Sequence, residues 1–239
     1  MAIHNLKTIH PSTFISKKKA EELVNKAKLL KCNNIIINQD ITPAQMKNLQ
    51  NIAGFDIRIL DRTGIIIDIF NIHAKSNESK KQVELAKLEY MLPRLTKQWT
   101  HLERQMGGTG TRGGPGEKQI EIDRRLIRKD IDKLKKDLSK IKKSRETQRK
   151  TRKGAICISL AGYTNAGKSS LMNLLTGSDV YIEDELFATL DSTTKVLDLD
   201  ISQKILISDT VGFIQKLPHE LVASFQTTLS DIKTSTLIL

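Results

Sequence analysis

The residues best suited to chemistry in this chain form one stretch, Gly162-Tyr163-Thr164-Asn165-Ala166-Gly167-Lys168-Ser169-Ser170. It fits G-x-x-x-x-G-K-[ST], in which glycines let backbone N–H groups close on phosphate oxygens, a lysine adds a point charge and a serine hydroxyl meets Mg²⁺. Lys168 is then the phosphate cation and Ser169 a metal ligand. The elements such a loop requires lie on either side of it. Ala155 to Ala161 reads as a buried strand, and Ser169 to Leu175 as a helix closed near Gly177.

A second set of groups follows about forty residues later in Asp209-Thr210-Val211-Gly212, at the end of the apolar run Lys204 to Ser208. Asp209 can reach Mg²⁺ through water, and the Gly212 N–H can meet a γ-phosphate. D-x-x-G alone is a common tetrapeptide, but here it stands at the carboxyl end of a strand, where open α/β sheets bind ligands. Leu186 to Thr194 between the two reads as a loop with three candidate hydroxyls for metal and γ-phosphate, Thr189, Thr193 and Thr194. The residues themselves do not choose among the three.

The runs GYTNAGKSS, LFATLDSTT and DTVGFIQKLPHELVASF resemble those of the HflX GTPases, within the wider Obg-like translation GTPases. FISKKKAEEL, ITPAQMKNLQ, DRTGIIIDIF, QVELAKLEYMLPRL and GGTGTRGGPGEKQIEIDRR extend the resemblance over nearly the whole chain. It implies GTP and Mg²⁺ as ligands and assigns Phe187-Ala188-Thr189-Leu190-Asp191 to the nucleotide-contacting loop, with Thr189 the switch threonine that ligates Mg²⁺. Lys168, Thr189, Asp209 and Gly212 are then the catalytic set. It further implies a monomeric, cytoplasmic GTPase that binds the large ribosomal subunit through ribosomal RNA and splits or rescues stalled ribosomes. Measured against that family the chain is expected to be truncated at both ends, lacking a first strand and helix. No N-K-x-D follows Thr236 to Leu239, and Asn25-Lys26 lacks the Asp. For these 239 residues alone, weak or absent hydrolysis is therefore expected.

Composition bounds the alternatives. Thirty-nine Lys and Arg against 27 Asp and Glu leave a net charge of +12 and a pI near 9.6, which points to an anionic partner, nucleic acid or an acidic membrane surface. Hydrophobic residues make up 38% and aromatic residues 4%, so the core is aliphatic. Cys32 and Cys157 form no C-x-x-C and fit a reduced, cytosolic protein, which the resemblance would place at the ribosome and the basic charge at the ribosome or peripheral to a membrane. The most apolar run, Gly64 to Ile72, is interrupted by Asp68 and is too short to span a bilayer. His4, His10, His73, His101 and His219 show no metal-ligand spacing.

The fold class expected is α/β in three parts: a small N-terminal α/β layer (1–75), a basic helical hairpin with a Gly-rich tip and linker (76–153), and the N-terminal half of a P-loop GTPase domain with a mainly parallel sheet (154–239). Residues 1–15 carry little pattern and read as frayed. Lys18 to Lys31 reads as an amphipathic helix and Asn34 to Asn38 as a buried strand; Thr42 caps a helix that opens on Pro43 and stops at Gly54, and Phe55 to Leu60 is a second strand, parallel to the first. Leu85, Leu88, Leu92, Leu95, Trp99, Leu102 and Met106, then Ile120, Ile127, Ile131, Leu134, Leu138 and Ile141, recur at a 3.5-residue period, the seam of an antiparallel hairpin in whose first helix Pro93 is expected to make a kink or open one hydrogen bond.

Gly107 to Gly116 between these helices is either a flexible connector or a tip that orders against a recessed anionic surface. From Glu117 to Lys153, sixteen Lys or Arg stand against seven Asp or Glu, so nine of the twelve net charges sit there. That is a solvated helix face or, given its concentration, a phosphate-binding stripe; without interleaved aromatics it suits folded RNA rather than stacked single strands. Pro218 to Ile232 reads as a further helix, and Thr236 to Leu239 as the start of a strand. Two other functions are compatible with the residues: an RNA-binding module without hydrolysis, and a P-loop kinase or ATPase, although no acceptor-binding lid is recognisable.

Overall fold

The computed structural model describes residues 9–95, 116–150, 155–177, 187, 189–199, 203–213 and 232–239. The chain divides into two units, Met1–Ile65 with Glu89–Lys129, and Ile66–Leu88 with Asp130–Leu239. The fold is mixed α/β, as expected.

The first unit opens with an ordered segment where fraying was expected. His10 and Phe14 exchange backbone hydrogen bonds of 2.9 Å each, and Asn48 Nδ2 donates to the Ser12 carbonyl at 2.8 Å. Residues 1–8 lie outside the described residues. Helix α1 (Lys17–Leu29), strand β1 (Asn34–Ile37), helix α2 (Pro43–Ala53) and strand β2 (Arg58–Asp61) follow, with β1 parallel to β2 in register Asn34 to Arg58. The α2 start obeys its sequence signature: Thr42 Oγ1 accepts from Gln45 N at 3.2 Å while Gln45 Oε1 accepts from Thr42 N at 2.9 Å. β1 is not the buried strand its isoleucines implied. Among the described residues it pairs with β2 alone, and Ile36 is 60% exposed.

Helix α3 (Arg62–His73) leads through a short elbow into α4 (Asn77–Met91). The expected kink at Pro93 is instead a termination: α4 stops at Met91 and Leu92–Arg94 forms a 3₁₀ turn, because the ring disfavours the α conformation at the residue before it. Residues 96–115, including Trp99, Leu102, Met106 and the Gly-rich tip, lie outside the described residues. Helix α5 (Gly116–Lys150) then runs antiparallel to α4, since Glu78 pairs with Arg145 and, further along α4, Lys81 pairs with Asp137. The Lys81 ammonium donates to Asp137 and holds that carboxyl below its ordinary range. The face that α4 buries is shifted from the leucine pattern: Gln82, Val83, Ala86 and Tyr90 are buried alongside Leu85, while Leu88 is half-exposed. On α5, Ile131 and Leu134 are buried as expected.

The second unit carries a four-stranded sheet of order β4-β5-β3-β6, from β3 (Ile156–Leu160), β4 (Thr193–Leu197), β5 (Ile205–Asp209) and β6 (Leu237–Ile238). β3 is parallel to both β5 and β6, and β4 is antiparallel to β5. Helix α6 (Lys168–Thr176) follows β3, and Met172 on it packs with Leu160, Leu197, Ile205 and Ile207. Thr193 and Thr194 therefore stand in a strand, not in the loop expected for them. Thr194 Oγ1 lies 2.9 Å from Ser208 Oγ across the β4–β5 pair. The helix expected over Pro218 to Ile232 falls almost entirely outside the described residues.

Candidate functional site

Strand β3 runs into the loop Ala161–Gly167 and then into α6, so the loop's N–H groups gather at a helix N-terminus, where the peptide dipoles favour an anion. Gly167 has φ +83° with open space around its Cβ position, so glycine is required there for conformation and not for room. Asn165 is also left-handed, at φ 59°. Lys168 Nζ donates to the Tyr163 carbonyl at 2.7 Å, folding the side chain along the loop. Burial lowers the pKa of this ammonium from its ordinary value, with Asp209 acting in the opposite sense.

β5 pairs with β3 residue for residue, from Ile156 with Ile205 to Leu160 with Asp209, which sets Asp209 beside the start of the loop. Asp209 is fully buried. Its Oδ2 accepts from Ser169 Oγ at 2.5 Å and from Thr189 Oγ1 at 3.0 Å, and the two hydroxyls are 2.8 Å apart. Its Oδ1 is buried and has no hydrogen-bond partner among the described residues. A carboxylate oxygen so placed has an unmet demand for positive charge. Two hydroxyl oxygens and this carboxylate form the all-oxygen donor set that suits Mg²⁺. Ser169 and Thr189 are the residues that would hold the ion, with Asp209 behind them. Bound there, Mg²⁺ would neutralise charge on the phosphates.

The rest of the D-x-x-G is stitched to the loop. Phe213 N donates to the Gly162 carbonyl and Thr164 N donates to the Phe213 carbonyl, both at 2.9 Å. Thr210 Oγ1 donates to the Leu160 carbonyl at 2.6 Å, fixing the β5 end to β3. Val211 is buried beside it. A Cβ on Gly212 would fall 2.6 Å from both Cα and N of Thr164. Here glycine is required by backbone approach.

Of the residues singled out in sequence, Lys168, Ser169, Thr189, Asp209 and Gly212 are brought together. Gly162, Thr164, Asn165, Ala166 and Gly167 form the loop itself, Tyr163 is exposed beside it, and Ser170 lies in the first turn of α6. Phe187 and Asp191 engage the α3–α4 region: the Phe187 ring meets Phe70 edge-on at 4.4 Å, and the Asp191 carboxylate accepts from Ser76 N at 2.9 Å. Leu190 is buried between them in sequence, and Ala188 lies outside the described residues. Among the described residues no group of three or more His, Cys, Asp or Glu could hold a metal, and no helix is long and apolar enough to cross a membrane.

Exchanging Asp209 for asparagine removes the charge that faces the hydroxyl pair while keeping the shape. The expected result is a Mg²⁺ requirement raised about tenfold or more for nucleotide binding, read by titrating Mg²⁺ at fixed nucleotide, since a charged hydrogen-bond acceptor contributes roughly 1.5–3 kcal/mol. An unchanged Mg²⁺ midpoint would remove Asp209 from the metal site.

Three family models match successive parts of the chain: "GTP-binding GTPase N-terminal" over residues 1–71, "GTP-binding GTPase Middle Region" over 73–152, and "50S ribosome-binding GTPase" over 157–239. Among curated relatives, the GTPase HflX of Alkalihalophilus pseudofirmus is 48% identical over 97% of this chain and 54% of its own length. That of Magnetococcus marinus is 46% identical over 96% of this chain and 53% of its own, and that of Escherichia coli K12 is 45% identical over 98% and 54%. The chain thus spans about half the length of the relatives it matches. Among solved structures, a complex of SsGBP with GDP is similar at a TM-score of 0.55 and 28% identity, over 98% of this chain and 60% of that one.

Proposed function

The chain belongs to the HflX family of GTPases, and from that premise we propose that the protein binds GTP with Mg²⁺ at the Gly162–Ser170 loop, hydrolyses it, and uses its nucleotide state to control a basic module on the large ribosomal subunit. The observation that carries the nucleotide half of the reading is the convergence of Ser169, Thr189 and buried Asp209 at the head of β5, one strand over from the phosphate loop. Lys168 would neutralise phosphate charge, Ser169 and Thr189 would hold the ion, and the Gly212 N–H would meet the γ-phosphate. Thr189 would be the group that tells triphosphate from diphosphate, because its hydroxyl lies on a loop that a γ-phosphate could draw in.

Hydrolysis by the protein alone is expected to be slow. Many P-loop GTPases place a glutamine directly after D-x-x-G to orient the attacking water. Here the position is Phe213, whose phenyl ring can neither accept the water's proton nor hold it by a strong hydrogen bond. Groups supplied in trans contribute about 10³ to 10⁵ in rate in such enzymes, and the large subunit is the partner proposed to supply them. GTP turnover of a chain that spans the relatives' full length, measured with and without large ribosomal subunits, tests this. The reading expects a rise of several hundredfold or more, and fast turnover without subunits would defeat it.

The RNA half rests on α5. Lys135, Lys136, Lys142 and Lys143 are all exposed on it, and Arg145 pairs with Glu78 at 2.7 Å. If the basic segment neutralises about four phosphates, log K for RNA should fall with log[salt] at a slope of about −3 to −4. Replacing the four lysines by glutamine should reduce that slope. A wild-type slope already near zero would dispose of the stripe as an RNA contact.

A further inference from the structure

We propose that Asp191 is a positioning residue that latches the nucleotide-sensing loop to the start of α4, so that the nucleotide state at Thr189 is read out at the α3–α4 elbow. The inference rests on the assignment of Thr189 as the sensor. Asp191 follows Thr189 by two residues, yet its carboxylate engages a turn more than one hundred residues earlier in the chain. Its Oδ2 accepts from Lys75 N at 3.2 Å and Ser76 N at 2.9 Å and lies 3.1 Å from Ser79 Oγ, while Oδ1 accepts from Ser76 Oγ. Ser76 Oγ in turn accepts from Ser79 N at 3.0 Å, the N-cap bond of α4. The carboxylate therefore completes a helix N-terminus whose unpaired N–H groups and dipole favour a negative charge.

On the other side of Thr189, Phe187 is 2% exposed and stacked edge-on against the equally buried Phe70 of α3. The sensor threonine is thus flanked by two anchors, one apolar on α3 and one ionic at α4, while its own hydroxyl meets Ser169 and Asp209. Two residues of extended chain span at most about 7 Å. Thr189 cannot leave the metal site by more than a few ångströms without drawing Asp191 off Ser76 or bending the intervening backbone. Docking of the threonine and capping of α4 are accordingly one event. Because α4 is tied to the basic helix α5 through Glu78–Arg145 and Lys81–Asp137, the latch gives the phosphate site a physical route to the RNA-facing element.

The test compares Asp191→Asn, the double variant Ser76→Ala/Ser79→Ala and Thr189→Ala for binding of GTPγS and GDP with Mg²⁺, together with amide hydrogen exchange at residues 75–79. In the wild type, exchange over 75–79 should be slower with GTPγS than with GDP. The serine double variant should lose about tenfold in GTPγS affinity with GDP affinity kept within twofold, Asp191→Asn should lose about tenfold in its preference for GTPγS over GDP, and both should lose the exchange difference. Adding Asp191→Asn to Thr189→Ala should cost little more than Thr189→Ala alone, the non-additivity expected of one coupled unit. If Thr189→Ala loses triphosphate preference while Asp191→Asn and the serine variant keep it, the latch is overturned and the nucleotide site stands. If Thr189→Ala itself keeps the preference, the sensor assignment falls and takes the latch with it.

Discussion

Replacing Gly212 by alanine should weaken binding of both GTP and GDP by about fivefold or more, while leaving the first unit folded. The added Cβ would stand 2.6 Å from Cα and N of Thr164 and 2.8 Å from its Cγ2. Two of those three atoms belong to backbone or its branch point and cannot rotate away. Relief must come from parting the D-x-x-G from the phosphate loop, which breaks the paired hydrogen bonds that Phe213 makes with Gly162 and Thr164. Overpacking of this kind costs about 1–3 kcal/mol, or roughly 5- to 150-fold in affinity if it is relieved by moving the loop. Titration with fluorescent GTP and GDP analogues measures it. Affinities within twofold of wild type would show that the close approach of the two segments is dispensable.

Lys168→Ala should lower affinity for both nucleotides about 10- to 150-fold, the range that corresponds to losing a charge-assisted hydrogen bond of roughly 1.5–3 kcal/mol. The partly buried position of the ammonium adds a signature in pH. Burial already lowers its pKa in the protein alone, and a polyphosphate would raise it again. Binding is therefore coupled to retention of the proton. Wild-type affinity should fall as pH rises, beginning below the ordinary lysine range, and Lys168→Ala should lack that fall. A variant that binds as tightly as wild type, or that shows the same alkaline loss, would remove Lys168 from the phosphate site.

The parts of this architecture that the sequence announces are those whose determinants are local. The phosphate loop is one, because Gly167 and Lys168 act within a few residues of each other. The start of α2 is another, since Thr42, Pro43 and Gln45 carry the whole capping signal. Strand β4 was hidden for the opposite reason: Thr193-Thr194-Lys195-Val196-Leu197 has only Leu197 buried, so it lacks the alternation that marks a half-buried strand. β1 was misread as buried because burial depends on how many strands flank it, which its four residues do not encode. Family resemblance, and not the residues themselves, points to Thr189 over Thr193. In the structure β4 pairing holds Thr193 and Thr194 in the sheet, while the Thr189 hydroxyl lies against that of Ser169.

The destination of Asp191 could not have been read at all. Its partners, Lys75, Ser76 and Ser79, belong to another part of the chain, and an aspartate in a polar loop carries no mark of which helix it will cap. Gln50 makes the same kind of contact within its own neighbourhood, its amide bridging the Gly54 and Ile57 carbonyls and the Ile59 N–H inside the first unit. Such contacts satisfy buried polar groups, and they become legible only once the elements are placed.

The proposed metal-assisted triphosphate site of Ser169, Thr189 and Asp209 is tested most directly by the affinity of the protein for GTPγS and for GDP as Mg²⁺ is titrated. Mg²⁺ should strengthen GTPγS binding about tenfold or more and GDP binding distinctly less, because Thr189 would contribute only when a γ-phosphate and its ion are present. Equal strengthening of both nucleotides, or none of either, would contradict it.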